Sequence, residues 1–247
     1  MTANASADRD RLAPTKAVIL CAGLGTRMQP LTYYVNKGMI PIAGKPILEH
    51  IITKLVGQGL REFLVAVSHL GEQVEHYFGD GERFGARIRC VRSPEPVGTA
   101  GELDKMRDLL TSEQHFVVHY GDIITNLDTG KLIARHLETG AAATLGLVTG
   151  VRVHAGVAEL ADDGRLTYFA EKPDLGRPCN AAVSVFSRRV LDYVRAGEDL
   201  ATHTIPALMA GGEDVRGWVD PDAFWQDVGR LSDIDAAARL VAGECRT

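Results

Sequence analysis

Short apolar runs alternate with helix-period segments through the first half of the chain. Ala17-Val18-Ile19-Leu20 is a continuous apolar run, and it predicts a buried strand over 16–21. Pro46 then opens a segment in which Ile47, Ile51, Leu55 and Gln58 fall on one face, which predicts a helix over 46–58. Phe63-Leu64-Val65-Ala66-Val67 reads as a second strand, Gly71 to Tyr77 as a short helix and Arg87 to Val91 as a third strand. A proline-containing loop leads to a predicted helix from Gly101 to Leu110. A fourth strand follows from His115 to His119 and ends at Gly121-Asp122. Strands separated by helices of this length imply βαβ units and a mostly parallel sheet.

The second half has shorter connections. Strands are predicted over Thr144–Val148, Gly156–Leu160, Leu166–Ala170 and Ala181–Phe186, as an antiparallel or mixed extension of the same sheet. Helical stretches near Arg188–Arg195 and Leu231–Val241 complete the pattern. There is no internal repeat, low-complexity linker or hexapeptide period. The expectation is one α/β domain over 14–247, preceded by a polar, disordered leader at 1–13.

Bulk properties narrow the function. At 247 residues, 45% hydrophobic and 24% charged, the composition is that of an ordinary globular protein. A net charge of −5 argues against a surface that coats nucleic acid. No apolar run approaches membrane-spanning length. Cys21, Cys90, Cys179 and Cys245 are scattered with no C-x-x-C pair, so a zinc or redox motif is not expected. These features together predict a reduced, cytoplasmic enzyme.

The chemistry concentrates after the first strand, in Ala22-Gly23-Leu24-Gly25-Thr26-Arg27-Met28-Gln29-Pro30-Leu31-Thr32. Glycines at 23 and 25 let backbone N–H groups approach an anion, and Arg27 adds a permanent cation. That combination suggests a nucleoside triphosphate site. It is not a Walker A loop, because no Lys-Ser or Lys-Thr follows. Nor is it a dinucleotide fingerprint, because Met28 holds the third glycine position.

The run Gly23 to Thr32, with Asn36-Lys37-Gly38 and Gly44-Lys45-Pro46-Ile47-Leu48 behind it, resembles the signature of the sugar-1-phosphate nucleotidylyltransferases. The resemblance extends from about residue 16 to about residue 240. It implies a Rossmann-like nucleotide-diphospho-sugar transferase fold, with a mixed, mostly parallel central sheet flanked by helices. The implied reaction joins a nucleoside triphosphate and a sugar 1-phosphate, giving an NDP-sugar and pyrophosphate.

The resemblance also implies roles. Ala22, Gly23, Gly25, Thr26 and Arg27 would bind the nucleotide phosphates, with Gly98 and Thr99 near the base. Arg27, Lys37, Asp122 and Lys172 would carry the catalysis. Asp122, in Gly121-Asp122, and Asp227, in Trp225-Gln226-Asp227-Val228-Gly229, would hold Mg²⁺. Glu171, Lys172, Asn180 and Gly146 would take the sugar phosphate. Two phosphate-bearing substrates repel at contact distance, and a hard divalent cation offsets that repulsion.

Glu95-Pro96-Val97-Gly98-Thr99-Ala100-Gly101 is similar to the mannose-1-phosphate guanylyltransferase-like branch, which favours GTP. Thymidylyl-, uridylyl-, cytidylyl- or adenylyltransfer onto an unusual sugar or cyclitol phosphate stays open. So does a catalytically silent subunit that senses NDP-sugars, since Ala182 and Ser184 replace the family's glycine and tyrosine. A glycosyltransferase of related fold would need D-x-D, and Asp122-Ile123-Ile124 lacks it. Asn36 and Gly38, flanking Lys37, also depart from the family pattern. Self-association into a homo-oligomer stays open. His154 sits in a loop from which it could reach a substrate.

Overall fold

The computed structural model describes residues 15–153 and 155–243. The leader expected at 1–13, His154 and Cys245 lie outside the described residues. The chain runs through β1 (Lys16–Cys21), β2 (Pro41–Ile42), β3 (Lys45–Pro46), α1 (Ile47–Gly57), β4 (Glu62–Val67), α2 (Gly71–Phe78) and β5 (Arg87–Arg92). Next come α3 (Gly98–Lys105), α4 (Arg107–Leu110), β6 (His115–Tyr120), β7 (Ile123–Thr125), α5 (Thr129–Thr139) and β8 (Ala143–Val148). It ends with β9 (Gly156–Leu160), β10 (Leu166–Glu171), β11 (Cys179–Ser187), α6 (Ile205–Ala210), β12 (Val215–Val219), β13 (Trp225–Asp227) and α7 (Asp233–Val241).

A seven-stranded sheet forms the centre, in the order β12-β8-β11-β6-β1-β4-β5. Only β11 runs against the others, pairing antiparallel with both β6 and β8. The apolar run of β1 is explained by burial on both faces. Ala17 and Ile19 pack with Ile47, Ile51 and Leu55 of α1, while Val18 and Leu20 pack with Ala100 and Leu103 of α3. The chain moves from β1 outward to β4 and β5, then returns to β6 on the other flank of β1. The strand order therefore reverses between β1 and β6, where a crevice opens beyond the strand ends.

The structure departs from these expectations at several points. The β9–β10 hairpin pairs only with itself and does not extend the central sheet. Every residue of the hairpin but Ala170 is exposed, so no face of it is packed away. The helix expected from Gly101 starts earlier, at Gly98, and is broken at Met106, whose ψ of 2° closes α3 and opens α4. The helix expected near Arg188 is a 3₁₀ segment, Arg188–Tyr193. Helix α5 and edge strand β12 were not anticipated. Yet α5 carries its own signals: Asp128 accepts from Lys131 N–H at 3.0 Å, and Gly140 ends the helix in the left-handed conformation.

Candidate active site

The glycine turn after β1 is built around a buried anchor. Gly25 adopts φ of +63°, and a Cβ there would lie 2.8 Å from Thr32 Cγ2. Thr32 Oγ1 donates to the Gly25 carbonyl at 2.9 Å and closes the loop. Met28, fully buried, pins the 3₁₀ turn Thr26–Met28 to the core. Its place where a dinucleotide site needs glycine thus has a packing reason.

The next loop presents Lys37. Asn36 is buried; its side chain accepts from Gly38 N–H at 2.9 Å and donates to the His69 carbonyl at 2.8 Å. Cys21 Sγ also donates to Asn36 Oδ1 at 3.6 Å. A Cβ on Gly38 would stand 2.5 Å from that sulfur. So Asn36 and Gly38 fit one tight loop, and it delivers Lys37 Nζ to 2.5 Å from Asp122 Oδ2. Burial pushes the Cys21 thiol up to about 12, so it stays protonated.

Asp122 leaves the end of β6 through Gly121. That glycine crosses against β1, where a Cβ would meet Cys21 Cβ at 2.8 Å and the Leu20 carbonyl at 2.9 Å. The β7–β13 ladder then brings in the second carboxylate. Asp227 pairs with Ile123, and Val228 N–H donates to the Asp122 carbonyl at 2.9 Å. A Cβ on Gly229 would lie 3.0 Å from Arg27 Nη2 and 3.1 Å from Asp227 Oδ2, so the guanidinium and this carboxylate flank one glycine. Burial raises the Asp227 carboxyl above the usual range; Asp122 raises it further, against the opposing pull of Lys37 and Arg27.

These elements enclose a cavity of about 340 Å³. Ala22, Gly23, Gly25, Thr26 and Arg27 line it from the first loop, with Lys37 and Asp122 beside them. Gly98 and Thr99 line it from α3. Asp227 abuts it through Gly229. The remaining expected residues are placed elsewhere. Glu171 and Lys172 lie at the end of β10 and Asn180 near the start of β11, none on the cavity wall. Asn180 Oδ1 accepts from Ala182 N–H at 2.9 Å. Gly146 lies within β8, where a Cβ would meet Leu127 and the Val183 carbonyl, each at 2.8 Å, so packing accounts for it.

The sequence reading missed Glu102, Tyr120, Asp199 and Gly229, which also line the cavity. Asp199 Oδ1 accepts from Thr99 N–H at 2.9 Å and from Thr99 Oγ1 at 3.1 Å, capping α3 from a distant segment. Gly98, at φ of +77°, could carry no side chain, since its Cβ would fall 2.2 Å from the Glu198 carbonyl oxygen. Asp199 is distant in sequence and sits in no motif, so no local signal marked it. Gly229 closes the Trp225–Gly229 motif and was within reach.

The donor set suits a hard divalent cation. Among the described residues Asp227 Oδ1 is buried with no hydrogen-bond partner. An orphaned carboxylate oxygen beside a second carboxylate is what Mg²⁺ satisfies, taking one or two carboxylates and filling its shell with substrate phosphates. Among the described residues no larger cluster of His, Cys, Asp or Glu forms a cage that would hold a metal unaided.

The family model described as nucleotidyl transferase matches residues 16–243. The chain belongs to that family. It is 35% identical over 245 residues to a UTP–glucose-1-phosphate uridylyltransferase of Synechocystis, covering 92% of this chain and 63% of that protein. It is 32% identical over 234 residues to a mannose-1-phosphate guanylyltransferase of Mycobacterium tuberculosis, covering 92% of this chain and 65% of that one. The chain thus spans somewhat under two thirds of the length of these curated relatives. Among solved structures, HddC from Yersinia pseudotuberculosis superposes with a TM-score of 0.73 at 21% identity, covering 92% of this chain and 99% of that one. The chain's sheet, mixed and mostly parallel with helices on its faces, is also the fold of that structure. Among the described residues no helix is long and apolar enough to cross a membrane.

Proposed function

We propose that this protein is a sugar-1-phosphate nucleotidylyltransferase that favours GTP. The observation that carries the reading is the meeting of Asp122, Asp227, Lys37 and Arg27 where the sheet order reverses. Both carboxylates lie beside cations, at the edge of a cavity floored by a glycine turn.

The sugar phosphate is already ionised near neutral pH, with a second pKa of about 6, so its attacking oxygen needs no general base. That oxygen bonds to the α-phosphorus in line, the α–β bridging bond breaks, and its electron pair leaves with pyrophosphate. Arg27 stabilises charge on the departing phosphates, and Lys37 holds Asp122 while neutralising the reacting phosphoryl group. Asp122 and Asp227 would hold Mg²⁺, which supplies charge neutralisation of the triphosphate. The backbone of Gly23 to Thr26 binds phosphate oxygens. Glu171, Lys172 and Asn180 take the sugar phosphate, with Lys172 the point charge for its phosphate. Gly98 and Thr99 shape the base end, Thr99 through its bonds to Asp199.

The preference for GTP is supported by the Glu95–Gly101 motif and by the guanylyltransferase relative. The uridylyltransferase relative supports UTP instead. With the reading go a single domain over 14–247, a cytoplasmic place and nucleotide and sugar-phosphate partners, without nucleic acid or membrane. A pyrophosphate-release assay with Mg²⁺ tests it, crossing five nucleoside triphosphates with hexose, heptose and cyclitol 1-phosphates. Release with a GTP pair is expected. Absence of release with every pair, while an NDP-sugar still binds tightly, would point to a silent sensing subunit.

A further inference from the structure

The cavity straddles the sheet. Lys37, Asp122 and Asp227 sit with the layer that holds Met28 and Val228. Glu102 comes from α3, whose Ala100 and Leu103 belong to the layer on the other face. The phosphate-binding groups and Glu102 therefore approach one cavity from opposite faces of β1.

Glu102 is only 3% exposed, yet it lines this cavity. Its Oε2 accepts from Ser93 Oγ at 2.6 Å. Its Oε1 receives only a long bond, from Val97 N–H at 3.4 Å. Among the described residues it forms no salt bridge. A buried carboxylate with no cation and one good donor is costly until a ligand supplies further donors. It is also an acceptor-only group.

That chemistry selects among bases. Guanine presents two adjacent donors, N1–H and the N2 amino group, to one carboxylate. Uracil and thymine present one N–H between two carbonyl oxygens, which a carboxylate repels. Adenine and cytosine set their amino donor beside a ring-nitrogen acceptor. We infer that the Glu102 carboxylate, oriented by Ser93, accepts from N1–H and the N2 amino group of guanine and sets the base preference of this cavity. The inference rests on the nucleotidyltransfer reading above for placing a nucleotide here.

Equilibrium binding of GTP, ITP and UTP with Mg²⁺, by calorimetry on the full chain, tests it without requiring turnover. ITP keeps N1–H but lacks the amino group. Wild type should bind GTP at least about tenfold more tightly than ITP, the worth of a hydrogen bond to a charged group. Glu102→Gln, nearly isosteric and still able to accept from Ser93, should bring that ratio close to one. An unchanged GTP:ITP ratio in the variant, or tighter UTP than GTP in wild type, overturns the inference. Should Glu102→Gln bind no nucleotide, Glu102→Asp decides: it keeps the charge but draws the carboxylate back by one methylene, so the ratio must fall. Nucleotide binding with the expected ratios but no pyrophosphate release would leave the base reading standing and sink the reaction. Binding of none of the three by wild type would sink both.

Discussion

Lys37 Nζ stands 2.5 Å from Asp122 Oδ2, and neither side chain is freely solvated. The lysine thus compensates one of two neighbouring carboxylates before any substrate arrives, leaving Asp227 Oδ1 as the unsatisfied atom. Asp122→Asn keeps the shape and removes a charge proposed to hold Mg²⁺. Turnover should fall by about 10² or more, the scale of losing a group that stabilises transition-state charge, with the melting temperature little changed. Near-normal pyrophosphate release from this variant would remove Asp122 from the metal site.

Lys54 gives a test of buried charge. Among the described residues its Nζ is buried without a partner, and burial brings its pKa down from 10.5 to about 8, against the opposing pull of Asp128 and Asp220. His50 and His119 line the same small cavity, and burial holds His119 neutral, at about 3. The unfolded chain keeps the Lys54 proton to higher pH than the folded one, so stability rises with pH from about 8 to about 10.5. Lys54→Met should abolish that part of the rise and stabilise the protein at pH 7 by up to a few kcal/mol. Urea unfolding of both proteins across this pH range checks it. A slope identical in the two would show that Lys54 is not the group.

Ala182 occupies a strained bulge. Between Asn180 and Ser184 the β8–β11 register shifts, and Ala182 takes φ of +57°. A left-handed alanine costs about 1–2 kcal/mol that glycine does not pay. Ala182→Gly should therefore raise unfolding stability by about 1 kcal/mol, less glycine's extra chain entropy, with an unchanged dependence on denaturant. A decrease would show that the methyl group packs usefully. The sequence departure from the family's glycine is thus a backbone matter at this position.

Asp199→Ala removes the acceptor for both the N–H and the hydroxyl of Thr99. The expected loss is about 1 kcal/mol, the usual value of a helix cap, together with weaker nucleotide binding as Gly98 loosens from Glu198. Unfolding and GTP titration on the same preparation read both effects. Unaltered affinity would confine Asp199 to a purely structural part.

The first half of the fold was legible because β1, β4 and β6 are buried on both faces, and their helices bury a periodic stripe. The glycine turn that lines the cavity was legible because Gly23 to Arg27 is one contiguous segment. Asp122 and Asp227 lie far apart in sequence, and the β7–β13 ladder that joins them is short; only the resemblance paired them. Glu102 sits inside a helix pattern and gives no sign of facing a cavity. The separation of the β9–β10 hairpin was hidden for another reason. Alternation tells that residues form a strand, but not which sheet it joins, and an exposed hairpin has no buried face to record its partner.

The bond from Cys21 to Asn36 makes the thiol a clock. A protonated, buried sulfur roofed by Gly38 meets an alkylating reagent slowly while the Asn36–Gly38 loop is seated. With the other cysteines replaced by serine, its labelling rate would count how often the loop lifts and carries Lys37 away from Asp122. A bound triphosphate, by holding the loop down or covering Cys21 at the cavity wall, would slow that clock, so occupancy could be timed with Lys37 and Asp122 left intact.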